Sequence, residues 1–326
     1  MLTTFLARSG AAVAALLLFA ACGSAGEATA PETTAAEAAS TSTTAPTTTE
    51  VLPVEAYPVD VGGITIPAQP NRIVSLSPSA TEILFAIGAG DLVIAADSFS
   101  NYPPEAPTEE GLAAFTPNVE AISAFEPDLI VTSFDPENAL ATAFGALGVP
   151  VLVQPGALTI DDTYAQIADL GVATDHIDDA AAVNGNIRAR VDAAIAASKQ
   201  ANVEPLRLYH ELDDTFYSVS SASFIGDLYA KLGFINIADA ADPDGFGYPQ
   251  LTPEYLVEAD PSLIVITDQV GYGPTDVAAR PGWETITAVQ SNNIVQIDAD
   301  IASRWGPRVA DLAEELSQLS LPAATG

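Results

Sequence analysis

The chain has 326 residues and carries 43 Asp and Glu against 10 Lys and Arg, a formal net charge of -33. A field of that sign argues against nucleic acid and against docking on anionic lipid, whereas a saline habitat and a functional acidic surface predict the same count. One cysteine leaves no disulfide, and two histidines are too few for a bare zinc or manganese site, so neither metal nor cofactor is expected.

Residues 1–22 read as a secretory signal. Arg8 supplies the positive start, residues 11–21 form an apolar run too short to span a membrane, and Ala20-Ala21-Cys22 closes it with small residues. The ending resembles a bacterial lipoprotein signal, which implies lipidation of Cys22 and anchorage to the outer face of the cell membrane. Residues 23–56, built from Ala, Thr, Ser, Pro and Glu, cannot bury enough surface to offset their ordering entropy and are expected to be a disordered tether. The rest suffices for two domains: an N-terminal lobe over 57–172, an interlobe helix over 173–203 and a C-terminal lobe over 204–321.

Tyr57 to Ile66 alternates around Gly62-Gly63 and predicts an edge hairpin. A strand then runs from Asn71 into a loop at Ser77, and a helix follows with Ser79 as cap and Glu82 three residues on. The next strand is Leu92 to Ala96, and Asp97 to Pro104 is a loop with Asn101 and Tyr102. After Asn118 come a short helix and the strand Leu129 to Val131, then a loop with Phe134, a helix over Pro136 to Leu147, and the strand Val151 to Val153. Thr159 to Leu170 is helical. From Asp178 to Gln200 apolar residues recur at Val183, Ile187, Val191 and Ile195, predicting a helix long enough to cross the back of two lobes.

The second half repeats this alternation. Strands are expected at Leu206 to Tyr209, Thr215 to Val219, Leu263 to Ile266 and Ile294 to Ile297, and helices from Ser223, Pro253, Pro281 and Pro307. Asp239 to Pro249 is an acidic loop with Tyr248, and Gln269 to Pro274 a loop with Tyr272. Asp242-Pro-Asp244-Gly245 begins like a calcium loop, but Pro253 stands where the closing Glu belongs, which leaves an acidic turn.

One unit is used twice. In residues 119–133 and 253–267 a Glu, Glu120 or Glu254, stands seven residues before a Pro that leads, after one polar residue, into Leu-Ile-Val. Asn118 and Thr252 sit as N-caps two residues ahead of each Glu, so each copy is helix, turn and buried parallel strand. Two lobes of similar α/β build follow, each with a mainly parallel sheet flanked by helices.

With Arg72-Ile-Val-Ser-Leu-Ser-Pro-Ser-Ala-Thr-Glu82, the paired Glu units, Ser223-Phe-Ile-Gly-Asp227 and Arg304-Trp-Gly-Pro-Arg308 in this order, the chain resembles the substrate-binding proteins of iron-siderophore and cobalamin ABC importers. The resemblance implies a ligand between two lobes joined by one long helix. It also implies that Glu120 and Glu254 dock onto a permease dimer, itself served by an ATPase. Ligands of open α/β sheets sit beyond the C-terminal strand ends, which selects Ser77, Asn101, Tyr102, Phe134, Tyr248, Tyr272, Arg304 and Trp305. Few basic residues are available near these loops, so a neutral or cationic ligand, cobalamin or a hydroxamate iron chelate, is expected over an anionic catecholate or haem. A haem-binding, other siderophore-binding or sensing lipoprotein without a transport role is the alternative. An extracytoplasmic hydrolase is a further one, although no Gly-x-Ser-x-Gly elbow is present and His210 has no assignable triad partners.

Overall fold

The structure, a computed structural model, describes residues 57–200 and 204–319, so the expectations for the signal, Cys22 and the tether lie outside it. Strands β1 (Val59–Val61) and β2 (Ile64–Ile66) pair antiparallel across Gly62 and Gly63. Both glycines adopt positive φ, which a tight hairpin of this kind requires.

The N-terminal lobe then runs β3 (Ile73–Leu76), α1 (Pro78–Ala86), β4 (Val93–Ala96), α2 (Val119–Ser123), β5 (Leu129–Thr132), α3 (Ala139–Gly145) and β6 (Val151–Val153). Helices α4 (Ile160–Thr174) and α5 (Ile177–Gln200) lead out of it. The C-terminal lobe contains β7 (Arg207–Glu211), α6 (Phe224–Leu232), β8 (Ile235–Asn236), α7 (Pro253–Ala259), β9 (Leu263–Thr267), α8 (Pro274–Ala278), α9 (Thr287–Gln290), β10 (Ile294–Ile297), α10 (Ala299–Ser303) and α11 (Val309–Leu319).

Each lobe holds a four-stranded, fully parallel sheet, ordered β4-β3-β5-β6 and β10-β9-β7-β8. In both, the first strand lies between the second and third, and the fourth lies outside the third. The two sheets therefore share one topology, and the repeated unit supplies the same piece of each: α2 with β5, and α7 with β9.

Strand pleating explains the unbroken apolar runs. Leu129 and Val131 face one way and Ile130 the other; Leu263 and Val265 are likewise separated from Ile264 and Ile266. The first set from each lobe joins a single core with α1, α4, α5, α6 and α11. The second sets form two separate cores on the outer faces, so both faces of each sheet are buried. Helix α5, 24 residues or about 36 Å long, buries Ile187 and Val191 in the shared core, with Val183 and Ile195 partly covered beside them. This is the strut that the stripe predicts. Arg190 on its outer side bonds Asp311 and Glu314 of α11, which burial of α11's own stripe brings alongside.

Four local expectations are corrected. Helix α1 is capped by Ser77, not Ser79, because Pro78 suits the first helical position and the Glu82 carboxylate is drawn elsewhere. Residues 215–219 form only isolated bridges: Phe216 takes a positive φ and the Asp213 carboxylate accepts from Thr215 N, which turns the chain. The helix placed at Pro136 starts at Ala139, since Glu137 and Asn138 both adopt positive φ and the Asp135 carboxylate accepts from Leu140 N and Ala141 N. Gly282 at positive φ prevents a helix from Pro281; Pro274 opens α8 instead. The acidic turn is as expected, for the Asp242 carboxylate accepts from Phe246 N, Gly247 N and Ser220 Oγ.

Candidate ligand cleft and docking glutamates

Two cavities lie between the lobes. One, about 480 Å³, is walled by Gly156, Leu158, His210, Phe224, Tyr248 and Trp305 among others. The other, about 310 Å³, is walled by Ser77, Asp97, Phe99, Phe115, Asp300 and Arg304. They share Gln269, Ser303 and Trp305 and so form one cleft. Ser77, Asp97, Ser133, Gln269 and Ala299 all lie just past the C-terminal ends of their strands, where parallel sheets leave their loops free to meet a ligand.

Of the residues selected from the sequence, Ser77, Tyr248, Arg304 and Trp305 line the cleft. Trp305 packs its ring over Gly156 from the opposite lobe, where a Cβ would come within 3.5 Å. Phe134 reaches the cleft wall only through Phe115, its ring centroid 5.8 Å away. Asn101 stands behind the wall, donating to Asp300 Oδ2 (2.8 Å) and accepting from Arg304 Nη1 (2.8 Å).

Two tyrosines depart from their expected placement. Tyr102 lines a different and larger cavity, about 600 Å³, between α1, α5 and α11, with the Arg308 guanidinium 4.2 Å above its ring. That groove runs along the strut and collects no strand ends. Tyr272 lines neither cleft cavity. Its hydroxyl donates to the buried Glu211 carboxylate, which also takes two bonds from Arg280 (2.6 and 2.7 Å). Arg280, caged by the rings of Phe216, Tyr272 and Trp283, is thereby removed from the pool of cations open to a ligand.

Arg304 borders the cleft, but both of its terminal nitrogens are engaged. It bonds Glu82 (3.0 Å), Asp300 (2.9 Å), Asn101 and the Phe99 carbonyl (2.9 Å). Among the described residues no other Lys or Arg lines the two cavities. Residue choice from the sequence missed Asp97 and His210, because neither type is unusual at a strand end. Asp97 is fully buried, and loss of water holds its carboxyl above the ordinary value. His210, 1% exposed, has its imidazole lowered by burial to about 4 and is neutral at physiological pH.

Both docking candidates are exposed, and each is the second residue of its helix, behind a side-chain cap from Asn118 or Thr252. Neither carboxylate pairs with a cation among the described residues. A groove of about 420 Å³ opens beside Glu254, walled by Val257, Glu258, Pro281 and Trp283.

The family model described as periplasmic binding protein matches residues 73–301, which takes in both sheets and the strut. The chain belongs to this family. A relative 30% identical over 79% of this chain and 82% of its own length is the ABC transporter substrate-binding lipoprotein YvrC of Bacillus subtilis. A cobalamin-binding protein of Halobacterium salinarum is 28% identical over 76% of this chain and 69% of its own. Among solved structures, the periplasmic vitamin B12-binding protein BtuF of Vibrio cholerae superposes with a TM-score of 0.64 at 25% identity, covering 77% of this chain and 96% of that one. This periplasmic binding protein is thus a solute-binding protein of the two-lobed, helix-joined kind. Among its described residues no three His, Cys, Asp or Glu side chains gather as a metal site, and no helix is long and apolar enough to cross a membrane.

Proposed function

We propose that this periplasmic binding protein captures a neutral metal chelate, a cobalamin-type corrinoid or a hydroxamate iron complex, between its lobes and delivers it to the permease of an ABC importer. The observation that carries the reading is the charge of the cleft. Its wall holds the carboxylates of Asp97 and Asp300, and the one cation among the described lining residues, Arg304, already bonds Glu82, Asp300 and Asn101 through its terminal nitrogens. An anionic catecholate or haem propionate entering there would lose water and meet no free cation. The cobalamin-binding relative supports the same choice.

In this reading Glu120 and Glu254, one per lobe at equivalent places, dock onto the two halves of the permease, whose ATPase drives release. Cys22 carries a lipid that holds the domain outside the cytoplasm through the tether of residues 23–56. No bond is made or broken in the ligand, so the role is not enzymatic. The domain limits of the proposal are lobes at 57–172 and 204–321 with the strut between.

Tryptophan fluorescence tests it. Trp305 lines the cleft, whereas Trp283 is 2% exposed in the outer core of the C-terminal lobe. Titration with cyanocobalamin or a ferric trihydroxamate should quench a signal that Trp305→Phe removes. Tight binding of a ferric tris-catecholate or haem, with no response to the neutral chelates, overturns the proposal.

A further inference from the structure

Among the described residues five buried side-chain atoms lack a hydrogen-bond partner: Asp97 Oδ2, Gln154 Oε1, Thr163 Oγ1, Asn184 Oδ1 and His210 Nε2. Unmade bonds of this kind are costly, and their positions carry information. Asp97 and His210 are the two whose residues wall the cleft, one on each lobe. Gln154, Thr163 and Asn184 line neither cleft cavity.

The other atoms of both groups are held in place. Asp97 Oδ1 accepts from Ser100 Oγ (2.5 Å), and Ser100 is in turn bonded to Thr81 and through it to Ser75. That network orients the carboxylate and leaves Oδ2 unspent. On the other lobe His210 Nδ1 lies 2.9 Å from the Tyr229 hydroxyl. Among the described residues this nitrogen is a hydrogen-bond partner of the fully buried Tyr229 hydroxyl, and burial raises the phenol and keeps it protonated. With that O–H donating to Nδ1, the imidazole proton sits on Nε2. The unpaired edge of His210 is therefore an N–H donor.

We propose that Asp97 and His210 are the specificity contacts of the cleft, an acceptor on one lobe and an N–H donor on the other, and that together they select a ligand whose rim carries primary carboxamides. One rim carboxamide can supply N–H to Asp97 Oδ2, and another a carbonyl to His210 Nε2–H. A carboxylate at the first position would face Asp97 as a like charge, and an apolar rim would leave both atoms unpaired. The inference rests on the cleft being the ligand site and narrows the neutral chelates to those with amide-rich rims.

The test uses the whole protein with cyanocobalamin and with its derivative in which rim amides are hydrolysed to carboxylates. Calorimetry on the wild type should favour the amide form. His210→Leu and Asp97→Ala should each weaken cyanocobalamin binding about tenfold to a hundredfold. His210→Gln, which keeps an N–H near the same place, should stay within about threefold. Asp97→Asn, whose Oδ1 stays with Ser100 and whose NH2 replaces the acceptor, should weaken the amide form and gain affinity for the carboxylate form. Thermal unfolding of each unliganded variant separates a lost contact from a lost fold. In ¹⁵N-histidine NMR of the unliganded protein only two rings resonate, and that of His210 should carry its proton on Nε2, a result that Tyr229→Phe should perturb.

Wild-type binding unchanged in His210→Leu and Asp97→Ala overturns this proposal alone, and so does a proton found on Nδ1. A shift of the cobalt absorption bands that depends on His210 also overturns it, since the imidazole would then be a metal ligand. If the wild type binds none of the neutral chelates, the cleft reading fails and takes the proposal with it.

Discussion

Glu82 and Arg304 stand 222 positions apart in the chain and meet as a buried ion pair, Nη1 3.0 Å from Oε1 with side chains 1% and 7% exposed. Arg308 approaches the same carboxylate through Nε and Nη2, at 3.0 and 2.6 Å. One acidic group on α1 thereby ties the N-terminal lobe to the segment between α10 and α11. Replacing it with alanine strands two guanidinium groups, and breaking a buried pair in this way costs about 3–5 kcal/mol. Glu82→Ala should show that loss in urea unfolding, with Glu82→Gln losing less because it keeps an acceptor. A Glu82→Ala protein with the wild-type midpoint would show that the cluster contributes nothing.

The glutamates proposed to dock call for the opposite outcome. Exposed ion pairs contribute about 0.2–1 kcal/mol each, so Glu120→Ala with Glu254→Ala should weaken association with the permease only several-fold. Charge reversal to Arg at both should weaken it much further and slow encounter, because like charges then face each other. Ligand affinity in solution should not change in either variant. Surface plasmon resonance against permease in lipid nanodiscs checks the first part; undiminished association after double reversal would remove these residues from the interface.

Acid should destabilise the fold through His210. Its folded value, about 4, lies below that of the unfolded chain, near ~6.5, so the unfolded state binds the proton more readily. The stability linked to this group is complete above about pH 6.5 and is lost as pH falls toward 4, amounting to about 3 kcal/mol across the window. Asp97, raised by burial, works in the other direction, since protonation relieves its buried charge. His210→Gln removes only the first effect, so its stability should fall less steeply than that of the wild type between pH 6.5 and 4. Parallel urea-unfolding profiles would contradict the assignment of a neutral buried imidazole.

Gly226 provides a packing test. A Cβ there would lie 1.8 Å from the Ser220 carbonyl oxygen, and backbone cannot swing aside as a side-chain tip can. Gly226→Ala should destabilise by about 3 kcal/mol, the upper end of ordinary overpacking costs, and lower the melting temperature measured by circular dichroism. A melting temperature equal to the wild type would mean that the first turn of α6 shifts freely.

Much of the architecture is written in local patterns. Pro253 behind Thr252, Asn118 ahead of Glu120 and the Leu-Ile-Val runs each specify their element through caps and burial, which depend on neighbours a few residues away. The stripe Val183, Ile187, Val191 and Ile195 likewise predicts the strut, because one face of a helix can be read by its period. Where a local signal competes with another, the reading fails: Ser79 and Glu82 look like a capping box, but Ser77 takes the cap and Glu82 goes to two arginines.

Two like α/β lobes with matching glutamates, joined by one long helix, are legible in the chain alone, since repeats, caps and periodicity act over short spans. Which polar groups the cleft can offer is set by long-range packing. Arg304 and Arg280 look free in the chain and are consumed by Glu82 and Glu211, while Asp97 and His210 look ordinary and keep one atom each unpaired. The physical reason is that a hydrogen-bonding group is spent or spare according to what folding brings beside it, often from a hundred or more residues away.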